Sequence, residues 1–140
     1  MNVFLDSSAL AKRYVEEPGS ERVEELLSSA SSLGVSVICL AEVVSALCRR
    51  QREKRLSSRQ YRDAKQALFE DIEDSSIIRV TDQVVARAVE ILERWPLRSS
   101  DSLHVASAAE WSAELFVSAD ERQCAAARGY GLKVEELAVG

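Results

Sequence analysis

Four acids sit where short apolar runs give way to helix-like stretches. Asp6 follows Val3-Phe4-Leu5, and Glu42 comes shortly after Val35–Ile38. Asp101 starts the helical stretch ahead of Leu115–Ser118, and Asp120 stands just past that run. One acid at a helix start is ordinary, because a carboxylate caps free backbone N–H groups and sits well in the helix dipole. Asp101 and Asp120, taken singly, are explained that way. Asp6 is not: it ends a run expected to be buried on both faces, where an unpaired carboxylate is costly. Glu42 is flanked by Leu40, Ala41, Val43 and Val44, so it needs an outward direction or a partner. Taken together, the four favour one site. Converging carboxylates raise one another's pKa unless a cation neutralises them. Hard oxygen donors select Mg2+ or Mn2+ over zinc. One or two such ions polarise a phosphate and lower the pKa of a bound water, which is metal-assisted phosphodiester hydrolysis.

Bringing acids together from such distant positions requires alternating elements, and the sequence alternates. Strands are expected at Val3–Leu5, Val35–Ile38 (after a break at Gly34), Ile77–Val80, Leu115–Ser118 and Leu132–Val134. Helices are expected over Ser7–Glu16, after a Ser20 cap, over Leu40–Lys54, after a Ser57 or Ser58 cap and after a Thr81 cap. Two more are expected from about Asp101 to Ser112 and over Asp120–Arg128. The fourth helix carries an apolar stripe of Tyr61, Ala64, Leu68, Phe69 and Ile72; the fifth carries Val84, Val85, Ala88, Val89, Leu92 and Trp95. This order predicts an α/β sandwich with a mostly parallel sheet of about four or five strands. In such sheets ligands lie at the carboxyl ends of strands, where the acids stand.

The chain has 140 residues, which predicts a single domain over residues 1–140. Hydrophobic residues at 46% with 29% charged exclude a disordered or low-complexity chain. A net charge of −5 excludes a strongly basic nucleic-acid-coating protein but not a local basic patch. The start, MNVFLDSS, has no basic segment ahead of a long apolar one, and Val35–Ala41 is too short to cross a bilayer. A cytoplasmic protein with no membrane contact is expected. Cys39, Cys48 and Cys124 show no C-x-x-C spacing and accompany a single histidine, which argues against structural zinc and for reduced cysteines.

Four runs carry a resemblance: VFLDSSALAKRY around Asp6, CLAEVVSAL around Glu42, LRSSDSLHVASA around Asp101 and FVSADERQ around Asp120. As an ordered set over almost the whole chain they resemble the PIN domain. The likeness is greatest to the small VapC-type toxins of bacterial and archaeal toxin–antitoxin pairs. The resemblance implies a PIN-like α/β/α sandwich and an Mg2+-dependent endoribonuclease, with Mn2+ as substitute, cutting single-stranded RNA. Asp6, Glu42, Asp101 and Asp120 fall on its catalytic and metal-binding quartet, and Ser7 and Ser118 on supporting hydroxyl positions. It also implies a VapB-like antitoxin, since a free ribonuclease would attack its host.

Around this centre, Lys12, Arg13 and Arg98 are candidate RNA contacts. The run Arg49, Arg50, Arg52, Lys54 and Arg55 reads first as a solvated helix end and second as a phosphate-tracking surface. His104, three residues after Asp101, reads as a supporting imidazole, because Mg2+ rarely takes histidine. Trp95 and Trp111 read as core. Apolar faces on the early helices, near Leu10, Tyr14, Leu26 and Leu27, are expected to take an antitoxin segment and to support a homodimer. An aspartate-nucleophile phosphatase is disfavoured because Ser8 stands where D-x-D needs its second acid, and no Gly-rich phosphate loop occurs. A catalytically silent PIN-like protein-binding module remains the alternative, though a pure binder gains nothing from a buried carboxylate cluster.

Overall fold

A computed structural model describes residues 1–139. The chain runs β1 (Asn2–Leu5), α1 (Ser7–Ala11), α2 (Ser20–Ser29), β2 (Ser32–Ser36), α3 (Cys39–Arg52), α4 (Ser58–Glu73) and β3 (Ser76–Ile78). It continues with α5 (Asp82–Arg94), α6 (Ser99–Glu110), β4 (Leu115–Ser118), α7 (Glu121–Gly129) and β5 (Val134–Glu136). The five strands form one sheet in the order β3-β2-β1-β4-β5, every neighbouring pair parallel. From β1 the chain builds outward to β2 and β3, then returns to add β4 on the other side of β1. That reversal opens a crevice at the carboxyl ends of β1 and β4.

The strand pleat sorts the core into two layers. Val3, Leu5, Val35 and Val117 point to one face with Leu10, Val23, Val43, Leu47 and Leu68 of α1–α4. Phe4 and Phe116 point to the other, stacked with ring centroids 5.8 Å apart, against Val84, Ile91 and Val105 of α5 and α6 and Ala126 of α7. The result is the expected α/β/α sandwich.

Local chemistry shifts several expected boundaries. α1 ends at Ala11, not Glu16, and turns follow it. Ser20 does not cap α2. Gly19 does, in the left-handed region at φ 95°, while Ser20 Oγ donates to the Val15 carbonyl and accepts from Glu17 N. Gly34 lies inside β2 instead of breaking the chain before it. A Cβ there would come within 2.6 Å of the Trp111 ring, so the glycine lets α6 close on the sheet. Ser57 caps α4 in a capping box with Gln60, and Thr81 caps α5. α6 begins at Ser99 with Arg98 in the cap position, and the last strand starts at Val134.

Two expectations about surface are corrected. Leu10 and Leu26 are buried against the sheet, which leaves only Tyr14 and Leu27 of that group partly accessible. On the helices, the exposed large apolar side chains are instead Phe69 of α4 and the stripe Val85, Val89 and Leu92 of α5. No helix among the described residues is long and apolar enough to cross a membrane.

Candidate active site

Asp6 leaves the end of β1 and serves as the N-cap of α1. It is fully buried and accepts from Ser8 Oγ at Oδ1 (2.8 Å), Ala9 N at Oδ1 (2.9 Å) and Ser118 Oγ at Oδ2 (2.6 Å). Ser118 ends β4, so the hydroxyl reaches Asp6 across the crevice. Ser8 Oγ also accepts from Ala119 N, tying the β4 exit to the start of α1. Burial still pushes the Asp6 carboxyl above its ordinary value, outweighing nearby His104 and these donors.

Glu42 sits in the first turn of α3. The partner its apolar flanks demanded is His104 on α6, whose Nε2 lies 2.5 Å from Oε1. Ser7 Oγ donates to the same Oε1 at 2.6 Å. Burial pushes Glu42 upward, but the bonds from His104 and Ser7 win, holding it below the usual glutamate value.

Asp101 and Asp120 meet through a residue that sequence reasoning passed over. Gln123 on α7 is 4% exposed; its Nε2 donates to Asp101 Oδ1 at 3.0 Å and to Asp120 Oδ2 at 3.4 Å. Its Oε1 is buried without a partner. Asp120 also caps α7 through Oδ1, accepting from Arg122 N at 2.9 Å. Arg98 Nε approaches Asp101 Oδ2 at 3.3 Å from an otherwise solvent-facing position.

All four acids line one cavity of about 230 Å³, together with Ser7, Ser8, Arg49, Arg98, His104 and Gln123. Yet no three His, Cys, Asp or Glu side chains among the described residues are grouped closely enough to hold a metal ion. Each acid is already bonded to protein donors: Glu42 to His104 and Ser7, Asp101 to Arg98 and Gln123, Asp120 to its helix and the same Gln123. The donor chemistry nevertheless fits a hard divalent cation, because every acid offers oxygen and Gln123 adds a buried amide oxygen with no partner.

The cationic residues divide. Lys12, expected to face RNA, is buried at 4% exposure, its Nζ bound to Glu17 Oε1 at 3.1 Å and the Pro18 carbonyl at 2.7 Å. Arg13 is turned to Glu24 and Asp71, away from the cavity. The turns after Ala11 carry both side chains off the acid cavity. Arg98 lines the cavity as expected, and Arg49 of the basic run joins it. Arg122 lines an adjoining cavity of about 550 Å³ that shares Asp101 and Asp120. For Gln123 the available signal was its i+3 spacing from Asp120 on a short helix. Arg49 was hidden among neighbours of like charge.

The PIN-domain signature matches residues 3–129. No curated relative matches the sequence. Among solved structures, the chain is similar to VapC20 of Mycobacterium tuberculosis, described as a sarcin–ricin-loop-cleaving toxin. The two share 20% identity at a TM-score of 0.67, over 89% of this chain and 94% of that one. It is similar to a chain of the DNA-bound VapBC complex of Salmonella typhimurium, at 16% identity and a TM-score of 0.70 over 97% of this chain and 98% of that one. It is also similar to a chain of FitAcB from Neisseria gonorrhoeae, at 18% identity and a TM-score of 0.68 over 94% and 95%.

Proposed function

This chain belongs to the PIN-domain family, and from that membership we propose that it is an endoribonuclease that uses Mg2+, or Mn2+ in its place, to hydrolyse phosphodiester bonds in single-stranded RNA. The observation that carries this reading is the convergence of Asp6, Glu42, Asp101 and Asp120 from four separate elements on one cavity. These four would hold the ion, which when bound polarises the scissile phosphate and activates a water. Ser7 and Ser118 orient Glu42 and Asp6 by donating to them. Arg49, Arg98 and Arg122 supply positive charge at the rim for the phosphates on either side of the cut.

The toxin reading extends the same proposal. Structures of similar fold are a toxin and toxin–antitoxin complexes, which supports a VapB-like antitoxin for this chain. A partner arginine or lysine entering the acid cavity would pair with Glu42 or Asp101 and compete with the cation. The single unit of residues 1–140 would pair with a second copy through the apolar stripe on α5.

The decisive experiment is cleavage of single-stranded RNA by the purified chain. Activity should require Mg2+ or Mn2+ and vanish in excess chelator; cleavage unchanged by chelator removes the metal mechanism. One observation favours a silent protein-binding module instead: among the described residues no three ligating side chains are grouped closely enough to hold a metal ion. Saturable Mn2+ binding that is lost in Asp6→Asn decides between the two, because a silent module has no use for it.

A further inference from the structure

His104 is the one histidine of the chain, and it is 1% exposed. It stands on α6, one turn beyond Asp101, yet it bonds neither Asp101 nor Asp6. Its Nε2 lies 2.5 Å from Glu42 Oε1 and 3.3 Å from Ser7 Oγ, while Nδ1 is buried without a partner. Ser7 spends its own hydrogen on Glu42 Oε1. The hydrogen between the imidazole and the carboxylate therefore comes from the ring, and Nε2 carries it. Nδ1 has no acceptor to receive one.

The two donors converge on the same oxygen. His104 and Ser7 both bond Oε1, and no group among the described residues bonds Oε2. The side chain is thereby held at one oxygen with the other left open, in the cavity that Asp6, Asp101 and Asp120 also line.

We propose that His104 is a positioning residue that, with Ser7, fixes Glu42 as a single-oxygen ligand, Oε1 held by the protein and Oε2 offered to the cation. This rests on the reading of Glu42 as a metal ligand. Both donors come from different elements, α6 and α1, so the arrangement also registers α3 against both sides of the crevice. Removing the imidazole frees the carboxylate to rotate or to offer both oxygens at once, and an outer-shell partner of this kind typically controls affinity by ~10-fold or more.

The test is Mn2+ binding by titration calorimetry on the wild type, His104→Gln and His104→Leu, with melting temperatures in chelator as the check on folding. Glutamine places an amide N–H about where Nε2 sits; leucine fills the space and donates nothing. Wild type should bind, His104→Gln should stay within about 3-fold of it, and His104→Leu should lose ~10-fold or more. Wild type that binds no Mn2+ overturns the metal reading and this inference with it. Wild type that binds while His104→Leu matches it, or while both variants lose equally, overturns this inference alone. Nitrogen NMR of the histidine in the metal-free wild type needs no variant to fold. A proton on Nε2 is expected; a ring protonated on Nδ1 alone overturns the assignment.

Discussion

Gln123 Nε2 donates to Asp101 Oδ1 at 3.0 Å, in a buried setting where the amide's own oxygen has no partner. A neutral side chain thus stands where two carboxylates would otherwise face each other, since the same nitrogen reaches Asp120 at 3.4 Å. Gln123→Leu keeps the bulk and removes the donor. It should lower the stability of the metal-free protein by about 1–3 kcal/mol, the usual cost of a buried acceptor left short of a donor. Thermal melts in chelator measure this. Added Mn2+ should close much of the gap; an equal deficit with and without Mn2+ counts against an ion at Asp101.

Asp6→Asn should separate catalysis from stability. Activity on RNA should fall by orders of magnitude, because metal placement is most of the catalysis. Stability without metal should hold or rise. The folded-state pKa of Asp6 is raised by burial, so the folded protein binds a proton more readily than the unfolded chain. The buried carboxylate therefore weakens the fold above its folded pKa, and stability returns as pH falls through that value toward the unfolded one. Asp6→Asn should flatten this part of the stability–pH curve in chelator. Marked destabilisation of Asp6→Asn at neutral pH would mean that the carboxylate is needed as a cap.

Four of the cations near α1 and the cavity should behave in two classes. Arg49→Ala and Arg122→Ala should each weaken RNA binding and reduce the salt dependence of the affinity by ~0.7, one phosphate contact apiece. Arg13→Ala should leave both unchanged, since that guanidinium faces Glu24 and Asp71. Lys12→Ala should cost about 2 kcal/mol in folding, because Glu17 and the Pro18 carbonyl lose a buried donor, with little change in RNA affinity. Binding titrations over a range of salt, beside denaturant melts, read out both classes.

Val89→Glu, at the centre of the α5 stripe, should turn a dimer into a monomer without loss of fold, because Val89 is 49% exposed in the isolated chain. Sedimentation at several concentrations measures this. A wild type that is monomeric at every concentration refutes pairing through α5.

Much of this fold is written in local sequence pattern. The alternation of apolar runs with capped amphipathic stretches determined the α/β order, since period-2 and period-3.6 patterns are local properties. The four acids were legible as exceptions: Asp6 and Glu42 stand where local rules give no reason for a charge. What lies between elements was not legible. Whether α1 stops at Ala11 decides that Lys12 turns inward, and the stop depends on how the following turns pack against α2. Gly34 reads as a break because its packing partner, Trp111, is far away in sequence. Leu10 and Val89 are both apolar helix residues, and only the sheet decides that one is covered and the other is not. The partners of the acids were equally out of reach: Ser118 meets Asp6, and His104 meets Glu42, only because parallel strands bring their ends to one edge. Residue types set which chemistry is possible here, while the crevice between β1 and β4 decides which oxygens are held and which are left open.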